Sequence, residues 1–451
     1  MNRHLLVATA LSVSLYTLQP ATVVAQEYSG SADQRLQKLE QEIALLKRQR
    51  EVQDEKDKSA AEKAAGVEFG KKGLKITSPD KKYELSLRGT AQFDERQFFN
   101  DDNNTGKDEF LARRVRPTLE IRAGAASLRI MPEFAGATTR ITDAHADYKF
   151  NEALQLRIGK FKPPVSLERL QSAADLTFIE RGHASNLAPN RDLGFMVYGN
   201  LIPDILEYQV GVFNGGADLA NADGDDDDKK DVAARVFAHP FRNSSLVALQ
   251  GFGAGVAGSI GERDGAVGRT ILGTYKSPGQ QDFFRYLTTS FADGRHWRLY
   301  PQAYWYAGSL GLLAEYAISN QEVRQGVNQD ELQHTAWQII GSYVLTGEDA
   351  SFKGGVRPSQ DFNPGKGGIG AWEVAARIGG TDIDNDAFPR FANLGIAATS
   401  AQSYGGGLNW YVSENLKLIA NYDLTTFKGG APGGKDRPDE QALFTRAQVR
   451  F

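Results

Sequence analysis

The sequence predicts an all-β fold: a transmembrane antiparallel β-barrel of about sixteen strands, preceded by a short N-terminal coiled-coil helix. Three observations lead there. Beyond about Gly70, apolar and polar residues alternate in segments of about ten residues, the length a tilted strand needs to cross a bilayer. The connections between these segments alternate between short and long, as periplasmic turns and external loops do. The chain ends on an alternating strand, ALFTRAQVRF, whose last residue is the aromatic Phe451. Composition agrees, since 47 Gly, 24 Phe and 16 Tyr at only 41% hydrophobic content suit many short strands. It also excludes several classes. Without cysteine there is no disulfide scaffold and no Cys-ligated metal. A net charge of −4 gives no support for whole-chain nucleic-acid binding. No later apolar run approaches the ~20 residues of a membrane helix.

Residues 1–25 read as a secretory signal peptide. Arg3 supplies the positive start, Leu5 to Leu18 the apolar stretch, and Val23 and Ala25 the spacing for cleavage before Gln26. Residues 26–66 form a periplasmic coiled-coil or linker segment. Leu36, Leu39, Ile43 and Leu46 fall at a and d spacing among charged residues. That seam spans roughly two heptads, so it serves either self-association or a solvated tether. Residues 67–451 are the barrel domain.

Within the barrel, residues 110–124 place Leu111, Val115, Leu119 and Ile121 on one face, with Arg114, Arg116, Thr118, Glu120 and Arg122 on the other. The run before it sets Tyr83, Leu85, Leu87, Ala91 and Phe93 against Glu84, Ser86, Arg88, Thr90 and Gln92. Residues 124–127 and Asn151–Glu152 read as tight turns; residues 100–108 and 161–192 read as long loops. An even strand number returns both ends of the barrel to the periplasm, and a barrel this wide keeps an aqueous channel.

The second half then resembles one family in particular. YVLTGEDASFKGGVRPSQDFNPGKGGIGAWEVAARIGGTDID (residues 343–384) is similar to a segment shared by the phosphate- and polyphosphate-selective porins, porin O and P. The long loop at residues 160–194, the strand LGLLAEYAIS and the hairpin GGGLNWYVSENLKLIANY resemble the family in the same order. The resemblance implies a trimeric sixteen-stranded channel in the outer membrane of a Gram-negative bacterium. Its partners would be membrane lipid, lipopolysaccharide and inorganic anions such as phosphate; it implies no cofactor and no catalysis.

Charge placement supports anions independently. Arg88, Arg114, Arg116, Arg122, Arg129 and Arg157 fall on expected lumen faces, and guanidinium rings favour anions and match phosphate oxygens. Lys160, Lys162, Arg169, Arg181 and Arg191 fall on the long loop expected to fold inward and narrow the pore. Glu120, Glu133, Asp143 and Asp147 share those faces, so a general porin without phosphate selectivity remains the alternative. Residues 347–370 are long for a periplasmic turn and are expected to fold into the lower mouth. The acidic run NADGDDDDKKD (residues 221–231) lacks the ordered spacing of a calcium loop and reads as a solvated external loop. The six histidines (His4, His145, His183, His239, His296 and His334) form no hydrolase or zinc motif, which disfavours an enzyme. A structural tether fits poorly with so many barrel strands.

Overall fold

The computed structural model describes residues 32–99 and 106–451. The expected signal peptide, residues 1–25, lies outside them, as does most of the 100–108 loop. The chain divides into two units between Ala64 and Ala65. The described residues of the first form one helix, α1 (Ala32–Lys63), built from strong helix formers with no internal Gly or Pro. Leu36, Leu39, Ile43 and Leu46 stand along it more than half exposed. No apolar surface among the described residues of this unit covers that seam.

The second unit is a closed barrel of sixteen antiparallel strands. In chain order they are β1 (Tyr83–Phe99), β2 (Glu109–Ala123), β3 (Ala126–Glu133), β4 (Arg140–Lys149), β5 (Gln155–Phe161), β6 (Asp192–Ile202), β7 (Leu206–Phe213) and β8 (Asp231–Ala238). They continue as β9 (Phe252–Asp264), β10 (Phe291–Ala307), β11 (Leu310–Gln325), β12 (Asn328–Val344), β13 (Ala371–Asp382), β14 (Ala398–Tyr411), β15 (Leu416–Ala431) and β16 (Glu440–Arg450). Each pairs with the next. Closure comes from β16 against β1, in register from Gln441↔Phe99 to Arg450↔Thr90. A small antiparallel pair, Gly66–Gly70 with Gly73–Thr77, extends the lower edge of β1.

Alternation decides which residues face inward. Along β8, Asp231, Ala233, Arg235 and Phe237 are buried, while Val232 and Val236 are exposed. The same rule leaves Val256, Ile260, Leu299, Tyr316, Ile339 and Tyr343 on the outside, an apolar belt suited to lipid. The final Phe451 seals the seam. Its backbone exchanges hydrogen bonds with Gly89 at 3.0 and 2.7 Å. Its ring lies so close that a Cβ on Gly89 would sit 2.7 Å from it.

One departure from simple alternation matters for function. A bulge at Gln92/Phe93 leaves Arg113 without a partner across the strand, so Arg113 and Arg114 both point inward. Leu111 pairs with Asp94 and therefore faces the lumen, not the outer face expected for it beside Val115. A one-residue slip exchanges faces, and the bulge makes that slip locally.

One end of the barrel has mostly short turns and the other mostly long loops. The loops at the long end fold inward and build the main apolar core there, with Phe161, Val165, Leu187, Phe213, Tyr275, Phe284, Tyr300 and Phe391 all buried. Each such aromatic contributes on the order of 2 kcal/mol by burial. At the other end, connection 345–370 also turns inward, as expected. Phe352 stacks on Tyr304 with ring centroids 4.7 Å apart, and its carbonyl accepts a 2.8 Å hydrogen bond from Gln171.

Candidate functional site

Loop 162–191, leaving β5, crosses the barrel interior and fastens to the far wall. A buried loop must find partners for its backbone groups, and here the wall side chains supply them. Gln302 of β10 donates to the Val165 carbonyl at 2.9 Å. Glu315 of β11 accepts from Leu167 N–H at 2.8 Å and from the Ser166 hydroxyl at 3.0 Å. Lys417 donates to the Leu176 carbonyl at 3.0 Å and Asn409 to that of Thr177 at 3.0 Å. Asn421 accepts from Ile179 N–H at 2.6 Å. The His183 ring sits between the hydroxyls of Thr381 (2.9 Å) and Ser403 (2.7 Å). Pinned to β10, β11, β13, β14 and β15, the loop leaves open space along β1 to β5.

That space includes three neighbouring cavities, each sharing lining residues with the next. The one toward the long-loop end has a volume of about 570 Å³ and is lined by eight basic side chains against one carboxylate, Glu180. The next, about 320 Å³, has six basic side chains against Asp143 alone. Arg114, Arg116 and Arg191 border both. The third, about 420 Å³ at the short-turn end, has six basic side chains against Glu120, Asp175 and Glu414.

The expected site residues distribute unevenly along this route. Arg116 donates to Glu133 at 2.6 Å, and Arg191 donates to Asp143 at 3.0 Å. Arg129 joins Glu120 at 2.9 Å. Arg157 donates to Asp147 at 2.7 Å and lies over the rings of Phe161 and Tyr198. Arg114 borders both upper cavities yet is only 4% exposed, its guanidinium held by Gln92 at 2.7 Å. Arg88 pairs with Glu120 in the short-turn cavity, away from the constriction. Arg122 sits near the end of β2, largely exposed and 3.8 Å from Glu84, and lines none of the three cavities.

Lys160 requires a correction. It lies on β5, not on the loop, and alternation sets it on the face opposite Arg157 and Phe161. Its ammonium pairs with Asp223. Three of the remaining loop cations behave differently from the wall arginines and from Arg191. Lys162 donates to the carbonyls of Leu170 (3.3 Å) and Gln171 (2.9 Å). Arg181 donates to those of Glu168 (3.0 Å) and Gln171 (2.7 Å), and Arg169 to that of Ser185. Among the described residues, none of these three cations has a carboxylate within ion-pair distance.

Several site residues escape simple alternation. Arg113 reaches the lumen only through the bulge; the doubled Arg113–Arg114, which cannot alternate, is its sequence signature. Arg446 of β16, readable from the alternation of the last strand, forms a two-point pair with Asp94 at 2.6 and 2.7 Å. Glu180 carried no signal at all, because its position depends on where the loop lands. The acidic run 221–231 is engaged locally: Asp223 meets Lys160, and Asp225 meets Lys230 at 2.5 Å. Among the described residues, no group of three or more potential ligands could hold a metal ion.

A sixteen-stranded barrel with an apolar outer belt and an inward loop narrowing a charged aqueous lumen defines a porin of the Gram-negative outer membrane. The family model "Phosphate-selective porin O and P" matches residues 85–451, and the chain belongs to that family. It is 25% identical over 420 residues to Porin O of Pseudomonas aeruginosa, covering 84% of this chain and 91% of that one. Among solved structures, it resembles the outer membrane channel DcaP of Acinetobacter baumannii with a TM-score of 0.54 at 13% identity, covering 82% of this chain and 97% of that one. The anion-selective porin from Comamonas acidovorans gives a TM-score of 0.51 at 10% identity, covering 82% and 100%. At such identities these structures establish the fold alone. The protein is a channel, not an enzyme.

Proposed function

We propose that the channel passes anions by passive diffusion, with phosphate or polyphosphate as the preferred permeant. The observation that carries this reading is the excess of cationic side chains on the constriction loop. Arg169 and Arg181 border the upper cavity and Lys162 the next, each held by backbone carbonyls and, among the described residues, none with a carboxylate within ion-pair distance. The wall arginines and Arg191 alone would argue less, because Arg116, Arg129, Arg157 and Arg191 each face a carboxylate. Those pairings are what would favour a general porin. A partly desolvated cation beside water is an attractive station for an oxyanion, and several in series let it move between weak sites. Family membership supports the same direction.

In this reading Arg88, Arg114, Arg116, Arg129 and Arg157 attract and guide anions, with Arg191 and the three loop cations at the constriction. The short-turn end faces the periplasm, where residues 26–66 form the coiled segment after removal of residues 1–25. Self-association as a trimer would bury the exposed seam of α1, and lipopolysaccharide would meet the long-loop end. Replacing Lys162 by Gln tests the permeation reading. The phosphate concentration that half-blocks chloride current in a planar bilayer should rise roughly tenfold, as expected for losing one charge-assisted contact. An unchanged value would remove Lys162 from the permeant's path.

A further inference from the structure

The constriction holds a carboxylate where an anion would bind. Glu180 is 5% exposed and faces four guanidinium groups. Arg113 grips it at two points, Nε to Oε1 at 2.6 Å and Nη2 to Oε2 at 3.1 Å. Arg446, Arg114 and Arg96 approach at 3.3, 3.5 and 3.5 Å. Two-point guanidinium contact is how arginine recognises carboxylate and phosphate alike. Arg446 already has its own partner in Asp94, so the arginines that Glu180 occupies are chiefly Arg113 and Arg114.

The carboxylate is not the only anchor of the loop here. The peptide around it is fixed independently: Asn421 accepts from Ile179 N–H, Arg446 donates to the Ile179 carbonyl at 2.8 Å, and Arg377 donates to the Glu180 carbonyl at 2.7 Å. A side chain that is one anchor among several, set in a cluster of guanidinium groups that suits an oxyanion, is free to serve another use. We propose that Glu180 is a tethered resident anion that occupies the Arg113–Arg114 subsite and thereby sets how tightly the channel holds a passing oxyanion. This rests on the anion-channel reading above. Conduction requires sites strong enough to fill and weak enough to empty. With Glu180 in place the large cavity keeps a positive excess, but its most convergent guanidinium pair is already satisfied.

The test compares the wild type, Glu180→Gln and Glu180→Asp in planar bilayers, reading the reversal potential in a KCl gradient and block by inorganic phosphate. Heat-modifiable mobility on gels confirms that each barrel is folded. In Glu180→Gln the half-blocking phosphate concentration should fall roughly tenfold, with chloride preference kept or increased. Glu180→Asp, which keeps the charge, should stay near the wild type. An unchanged or weaker block in Glu180→Gln overturns the proposal. Weaker block together with larger conductance would show that the carboxylate is a latch for the loop. Failure of the underlying reading looks different: the wild type itself would prefer potassium and show no block. In that case Glu180→Gln must still shift the reversal potential toward chloride and create phosphate block, or the proposal falls as well.

Discussion

Arginine does two separate jobs in this lumen, and the difference lies in what each guanidinium touches. Arg263, Arg298 and Arg377 on the far wall pair with Asp231, Asp218 and Asp423 at 2.7 to 2.8 Å. Those pairs leave little net charge and fasten strands and loops together. On the loop and near wall the cations exceed the carboxylates, and that excess faces the open route. The Asp94–Arg446 pair belongs to the first group, with both side chains at most 1% exposed. Breaking one partner of a buried pair strands a charge, at a cost on the order of 3 kcal/mol. Asp94→Asn should therefore lower the temperature at which the barrel's circular dichroism signal collapses. An unchanged transition would show that water in the lumen solvates Arg446 well enough to replace the pair.

The strands were legible from sequence because lipid on one side and water on the other enforce a period of two. Residues such as Leu87 and Arg116 are assigned to faces without any structure. Length and parity located both long inward segments, 162–191 and 345–370. What alternation could not supply was registry and strand ends: the bulge beside Arg113 and the lumen position of Leu111 turn on a single-residue offset, and Lys160 on a strand that runs through Phe161. Nor could it show which wall group meets which loop atom, since contacts such as Asn421 with Ile179 join residues far apart in the chain. Connection 345–370 carries a latch of its own. Glu348 accepts from Ser359 N–H at 3.0 Å and from its hydroxyl at 2.9 Å, and also from Thr346. Partial burial alone would raise its pKa, but the bonds from Thr346 and Ser359 outweigh it and hold the carboxyl below the usual range. A depressed folded value means the latch is fully effective above the ordinary glutamate range and is lost as pH falls through the folded value. Amide protection within residues 345–370, measured relative to the intrinsic exchange rate at each pH, should fall on that acidification, and the fall should be absent in Glu348→Gln. Identical profiles for the two proteins would show that the latch is not what orders the connection.

At the scale of the whole molecule, a sixteen-strand circumference makes the lumen too wide to select by size, so selectivity falls to what the interior adds. Loop 162–191 supplies it by dividing the lumen between a paired, nearly neutral wall and a cationic route. The sequence's net charge of −4 says nothing about this division, because the acidic residues lie largely outside the two upper cavities. Permeation is governed by the local field, which a low-dielectric wall concentrates. The most direct measurement is the reversal potential of the purified protein in a planar bilayer under a KCl gradient, repeated with added phosphate. An anion channel guided by these cations predicts chloride preference and a current that phosphate blocks. Potassium preference, or chloride current indifferent to phosphate, would contradict it.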